Sequence, residues 1–130
     1  MTVAGGIDRE AAGFYDITIR ATSSDSSFST LSFTISIGDV DEFDVGAVTD
    51  SNAANNNLNE NVTVGTAVGI TAHAFDLDAT TNTITYSLTS NPDGLFQIDA
   101  NTGVVTTAAA INREIVGASR SITVQAASSD

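Results

Sequence analysis

An all-β fold, an antiparallel β-sandwich, is predicted by three observations on the 130-residue chain. Apolar residues recur with period two, turn signals separate the periodic runs, and no long stretch has helical spacing. The composition agrees: Val, Ile, Ala and Leu supply most of the apolar content beside much Ser, Thr and Asn, with aromatics at 6% and no tryptophan.

Each element follows from local pattern. Tyr15, Ile17, Ile19 and Ala21 alternate with Asp16, Thr18 and Arg20, which describes a strand with one apolar face. Leu31, Phe33, Ile35 and Ile37 alternate with Ser32, Thr34 and Ser36 to give a second. Val68, Ile70, Ala72 and Ala74 mark a third, Ile84, Tyr86 and Leu88 a fourth, and Ile122, Val124 and Ala126 another. Asn91-Pro92-Asp93-Gly94, Asn101-Thr102-Gly103 and the polar tract from Asp50 to Asn59 carry turn chemistry between them. Ala108 to Ile115 is the one window with helical spacing, and it reads as short and uncapped.

Charge narrows the function. Sixteen acidic residues against four arginines give a formal charge of -12, with no lysine. A nucleic-acid partner is excluded because phosphate neutralisation needs a basic face, whereas multivalent cations suit this chain. Without cysteine there are no disulfides, thiol nucleophiles or thiolate metal sites. A hydrophobic content of 42% rules out a disordered acidic tail. No apolar run reaches the roughly 20 residues of a membrane helix, and no signal peptide is legible, so an extracellular address is expected to lie elsewhere in a longer parent.

The chain repeats itself. Ile7-Asp8-Arg9-Glu10 recurs as Ile111-Asn112-Arg113-Glu114, and Ile17-Thr18-Ile19-Arg20-Ala21-Thr22-Ser23-Ser24-Asp25 recurs as Ile122-Thr123-Val124-Gln125-Ala126-Ala127-Ser128-Ser129-Asp130. The offsets are 111 − 7 = 104 and 130 − 25 = 105, so a repeat of about 105 residues is present a little more than once. A window on a tandem array is the expectation.

Acidic clusters punctuate the strands: Asp8-Arg9-Glu10, Asp39-Val40-Asp41-Glu42, Glu60 between two asparagines, and Asp76-Leu77-Asp78. Carboxylates at alternate positions of an extended segment point to one side, where a hard cation needs six to eight oxygens. An EF-hand beginning at Asp39 fails, with Asp44 at the sixth position instead of Gly and Asp50 at the twelfth instead of Glu. His73 reads as a surface residue without partners for a triad or a zinc site. Paired carboxylates in polar, acid-rich segments do not suit a glycosidase, so no enzyme is expected.

Read in order, Glu60-Asn61, Gly65-Thr66-Ala67-Val68, Ala74-Phe75-Asp76-Leu77-Asp78, Thr85-Tyr86-Ser87-Leu88, Phe96-Gln97-Ile98-Asp99, Thr102-Gly103-Val104-Val105 and Ile111-Asn112-Arg113-Glu114 resemble one cadherin repeat, in its bacterial version. Asp8-Arg9-Glu10 and Asp39-Val40-Asp41-Glu42-Phe43 resemble the close of a preceding repeat and its linker. The resemblance implies a seven-stranded Greek-key sandwich of immunoglobulin-like cadherin type. Residues 1–38 would be closing strands E, F and G of one repeat, 39–57 an acidic calcium-type linker and lead-in, and 58–130 strands A to F of the next.

It further implies calcium (Ca2+) between repeats, with Asp8, Glu10, Asp39, Asp41, Glu42, Asp76 and Asp78 at one junction and Glu60 and Glu114 at the next. The slot of a further acidic ligand falls at Ser128, two residues before Asp130. Where animal cadherins usually have Asn, Asp and Asn, the linker has Asp41, Glu42 and Phe43, and the N-terminal tryptophan used in their strand exchange is absent. Asn112 stands in place of the aspartate of the second Asp-Arg-Glu, which weakens binding there.

The expected function is a calcium-stiffened spacer and adhesion module of a long bacterial surface or secreted protein. A carbohydrate-binding sandwich, with surface polysaccharide as partner, is the alternative, opposed by the shortage of tyrosine and tryptophan. The partners implied are neighbouring repeats of the same chain and another copy through strand exchange. The Leu31 to Ile37 strand is expected to complete the second repeat's sandwich, either by folding back within the chain or by exchange.

Overall fold

The two alternating runs nearest the start pair with each other. In the computed structural model, which describes residues 2–129, strand β1 (Phe14–Thr22) and strand β2 (Phe28–Ser36) form a two-stranded antiparallel ribbon. Its turn is built from small polar residues: Ser23 N–H donates to Ser27 O at 2.8 Å, and the Asp25 carboxylate accepts from the Ser27 N–H at 3.0 Å. Register places Tyr15 opposite Ile35, Ile17 opposite Phe33 and Ile19 opposite Leu31 on one apolar face. The other face is polar, with Thr34 donating to Asp16 at 2.5 Å and the Thr18 and Ser32 hydroxyls 2.8 Å apart. This ribbon belongs to a first unit, residues through Glu42 together with Asp78–Thr80.

The second unit takes in Phe43–Leu77 and Thr81 onward. Its strands are β3 (Thr49–Asp50), β4 (Ala67–His73), β5 (Thr85–Ser90), β6 (Phe96–Ile98), β7 (Val104–Thr107) and β8 (Thr123–Ala127), with a one-turn helix α1 (Arg113–Val116) before the last. One sheet has the order β3-β4-β7-β6 and the other pairs β5 with β8, so the chain crosses between sheets as a sandwich requires. Ala72, Ala74, Tyr86 and Ala126 form the buried centre, with Val45, Ile84, Ile98 and Val124 packed on it. The Tyr86 hydroxyl accepts the N–H of Ala74 at 3.0 Å, tying the end of β4 to β5 across the core. Gly103 is required where β7 begins: its φ is +69°, and a Cβ there would lie 2.2 Å from the carbonyl oxygen of Ala72.

Three expectations need correction. Residues 2–38 hold two strands, not three, because the chain before Phe14 is spent on a turn around Asp8. Leu31 to Ile37, expected to complete the second repeat's sandwich, instead lies within the first unit's own ribbon, where β2 is paired with β1. A five-residue turn closes that pair at less loop entropy than the segment of about 20 residues that folding back would have to close. Finally, α1 is capped after all. The Asn112 side chain accepts the N–H groups of Glu114 and Ile115, because a short amide fits the N-cap geometry.

Candidate metal centre

The same turn occurs in both units, headed by an aspartate in the first and by an asparagine in the second. At the start of the chain, Asp8 Oδ1 accepts the N–H of Glu10 at 2.9 Å and of Ala11 at 3.2 Å, while its carbonyl accepts Ala12 N–H at 3.1 Å. In the second unit Asn112 Oδ1 accepts from Glu114 at 3.0 Å and Ile115 at 3.2 Å, and its carbonyl from Val116 at 3.0 Å. Asparagine therefore preserves the turn and deletes its negative charge.

Within the first unit, carboxylate oxygens of Glu10, Glu42 and Asp78 lie within 4.8 Å of one another. Backbone donors fix two of them. Asp78, 2% exposed, accepts the Glu42 N–H on Oδ1 at 3.1 Å, and Glu10 Oε1 accepts the Ala79 N–H at 3.1 Å. Asp39 Oδ2 accepts the Thr80 N–H at 2.8 Å and also the Thr80 hydroxyl. Its second oxygen, Oδ1, is buried without a hydrogen-bond partner among the described residues. A buried carboxylate oxygen left unpaired costs free energy unless a cation or donor meets it.

Electrostatics express the same crowding. Desolvation, followed by the charges of Asp78, Asp39, Asp8 and Asp41, pushes the Glu42 carboxyl above its ordinary value. Glu10 is also raised: its own backbone N–H pulls it down, but desolvation and the neighbouring Asp39 and Asp8 carboxyls outweigh that. Asp39 is lowered, chiefly by the Thr80 hydroxyl, against desolvation. Oxygen-only donors with this excess of negative charge fit a hard divalent cation of the calcium or magnesium class and offer nothing to a thiophilic metal.

Glu10, Asp39, Glu42 and Asp78 are thus brought together, with Asp8 holding the turn beneath Glu10. Asp41 is exposed in the same linker, and Asp76, half-buried, belongs to the second unit. Glu60 accepts the Arg113 N–H at 3.1 Å and so sits on the second turn, where Glu114 is exposed. Asp130 lies outside the described residues. His73 is exposed. Sequence reasoning missed Ala79 and Thr80, whose backbone and hydroxyl donors orient Glu10 and Asp39; a donor residue two positions past Asp78 is the signal that pointed there. It also missed the capping role of Asn112, legible as an N-cap residue directly ahead of Arg113-Glu114.

Comparison with known proteins gives this arrangement its context. Residues 55–130 match the cadherin domain family. Cadherin-7 of Gallus gallus is 44% identical over 59 residues, which is 44% of this chain and 7% of that protein. The protocadherin gammaB4 extracellular domain has a TM-score of 0.69 at 29% identity, over 97% of this chain and 21% of that one. The protocadherin gammaB7 EC3-6 cis-dimer structure has a TM-score of 0.67 at 24% identity, over 95% of this chain and 30% of that one. This chain therefore spans less than a third of each relative. The expected all-β sandwich of immunoglobulin-like cadherin type holds, and with the family match over residues 55–130 the chain belongs to the cadherin family.

Proposed function

We propose that this chain is a non-catalytic, calcium-binding cadherin module of a long bacterial surface or secreted protein, acting in adhesion and as a calcium-stiffened spacer. The observation that carries the reading is the convergence of Glu10, Glu42 and Asp78 within 4.8 Å beside a buried, unpartnered Asp39 oxygen. Glu10, Asp39, Glu42 and Asp78 are the ligands proposed first. Asp8, Asp41 and Asp76 complete the junction together with Asp130, while Glu60 and Glu114 serve the next one. Residues 1–38 then close one repeat, 39–57 form the linker, and 58–130 open the following repeat.

When bound, calcium supplies two positive charges and six to eight coordination positions. The chain does the rest: Thr80 and Ala79 hold Asp39 and Glu10 in place, and the Glu42 N–H holds Asp78, so the carboxylates are oriented before any ion arrives. Because the drawn-together linker accepts the ion better than a spread one, ion binding shifts the population toward the ordered linker. Neighbouring repeats of the same chain are the partners of such a spacer, and the setting is extracellular.

A carbohydrate platform is not favoured, since the chain has no tryptophan and only two tyrosines, of which Tyr86 is buried in the core. Calorimetric titration with calcium, magnesium as control, tests the proposal, paired with small-angle scattering in EDTA and in calcium. Calcium-selective heat with a narrowed distribution of sizes is expected. Absence of calcium binding in the millimolar range would refute the reading.

A further inference from the structure

The turn Asn91-Pro92-Asp93-Gly94, between β5 and β6, lies apart from the carboxylate cluster and holds the chain's one Asp-Gly bond. Such a bond carries its own chemistry. The Gly94 nitrogen, with no Cβ beside it to obstruct the approach, is placed to attack Cγ of Asp93. The nitrogen loses its proton, one carboxyl oxygen leaves as water, and a five-membered succinimide results. Water then opens the ring at the former backbone carbonyl and leaves isoaspartate, in which the chain runs through Cβ and Cγ. One water departs and one is consumed, so mass and oxidation state do not change.

The fold sets each reacting group against this reaction. Closing the ring eclipses Cβ with the Gly94 nitrogen about the Cα–C bond, which in an L-residue needs a ψ of about −120°, outside the left-handed region. Asp93 sits within that region, with φ 61° and ψ 6°. The nucleophile is held as well. Gly94 N–H donates to Asn91 O at 3.2 Å, and Asn91 is itself fastened to β6, its side chain donating to Phe96 O at 2.7 Å and accepting Phe96 N–H at 3.2 Å. Arg120, 27 residues along the chain, restrains the electrophile: its Nε donates to Asp93 Oδ2 at 3.0 Å, while its Nη1 donates to Ser119 O at 3.0 Å. A guanidinium keeps its protons, so this donor does not furnish the one that the departing water needs.

Packing does not restrain the turn: a Cβ built on Gly94 would meet nothing within 4 Å, and the Asp93 side chain is 54% exposed. Hydrogen bonds do, and of those named the Arg120 bond alone reaches in from outside residues 91–96. We propose that Asp93-Gly94 is an isoaspartate-forming site held shut by the fold, with Arg120 as the positioning residue that keeps it shut. Loss of the pair frees Asp93 to turn toward the cyclising ψ. Isoaspartate lengthens the backbone by one atom just ahead of Gly94 and the buried Leu95, so the modified turn no longer fits the start of β6. Calcium has no part in this chemistry.

The test uses the full chain, incubated at neutral pH and low salt, with isoaspartate at residue 93 read by electron-transfer fragmentation in a mass spectrometer. The folded parent is expected to form it roughly tenfold or more slowly than the same chain unfolded in urea, since cyclisation waits on local opening. Arg120→Gln is expected to speed the folded chain about two- to fivefold, the range that an exposed ion pair allows, with Arg120→Lys between the two. Salt separates positioning from general stability. High salt screens the pair and so moves the parent toward the Arg120→Gln rate, while that variant stays where it was. Asp25-Ser26 and Asp50-Ser51 are controls within the same molecule and should not change. Equal rates in the folded and unfolded parent would overturn the proposal. So would an Arg120→Gln rate equal to the parent's at low salt, or a rise shared by the two control bonds.

Discussion

Replacing Asp78 by asparagine is the sharpest probe of the carboxylate cluster. Asp78 is 2% exposed and its Oδ1 accepts the Glu42 N–H at 3.1 Å; asparagine keeps both the volume and that acceptor while removing one charge. At a calcium–oxygen distance of about 2.4 Å, a divalent ion and a unit charge attract by about 3.5 kcal/mol even with the full screening of water. The amide oxygen retains part of that, so the expected loss of calcium affinity is roughly 10- to 100-fold. At calcium 100-fold above the parent's Kd, stabilisation by binding is about 2.7 kcal/mol for the parent and falls to between about 0.4 and 1.4 kcal/mol for the variant. In EDTA the order reverses: with one like charge fewer facing Glu10 and Glu42, Asp78→Asn unfolds no earlier than the parent. Calorimetry gives the affinity ratio, and thermal melts followed by circular dichroism in EDTA and calcium give the stabilities. Unchanged affinity would refute the reasoning, as would a variant less stable than the parent in EDTA, because Asp78 would then serve the fold and not an ion.

Other expectations follow from single contacts. Thr80→Val removes the hydroxyl that donates to Asp39 and is expected to weaken calcium binding by calorimetry while leaving the far-ultraviolet spectrum unchanged. Tyr86→Phe leaves the Ala74 N–H buried without its acceptor, at a cost of about 1–3 kcal/mol, or roughly 4–8 °C of melting midpoint for each kcal/mol in a domain of this size. Its calcium affinity should be unchanged. Asp99 is lowered first by the Thr102 N–H, then by the Thr102 hydroxyl and the Asn101 N–H. Its depressed folded value contributes stability above the unfolded value of 3.8 that is lost as pH falls through the folded one. Asp99→Asn should therefore melt earlier at neutral pH, with the difference closing in acid.

Much of this was legible because it is local. Period two in Ile17-Thr18-Ile19 or Val68 to Ala74 states which side chains share a face, since alternate Cβ atoms point to opposite sides whatever the strand pairs with. The repeated Asp8-Arg9-Glu10 and Asn112-Arg113-Glu114 turns were visible as sequence and returned as matching hydrogen-bond patterns, because a cap spans three or four residues. Asn112 has two meanings in the sequence, a ligand lost from the turn and an N-cap for the helix after it, and the hydrogen bonds show the second.

Contacts between distant segments were not legible in the same way. Alternate carboxylates named Glu10, Asp39, Glu42 and Asp78 as candidates, but only the fold sets Thr80 against Asp39, 41 residues away, and Asp78 against Glu42, 36 away. Strand pairing was beyond the sequence for a sharper reason. β1 and β8 are so alike that pattern offers β2 two equivalent neighbours, and the choice falls to chain connectivity: a five-residue turn closes the ribbon with β1 at little entropic cost, whereas β8 lies beyond a long linker. The sequence by itself determined the faces of the strands, the acidic character and the repeat, all written in neighbouring residues. Only the tertiary structure decided which carboxylates meet and which of two like strands keeps its partner, because both depend on closing the chain over distance.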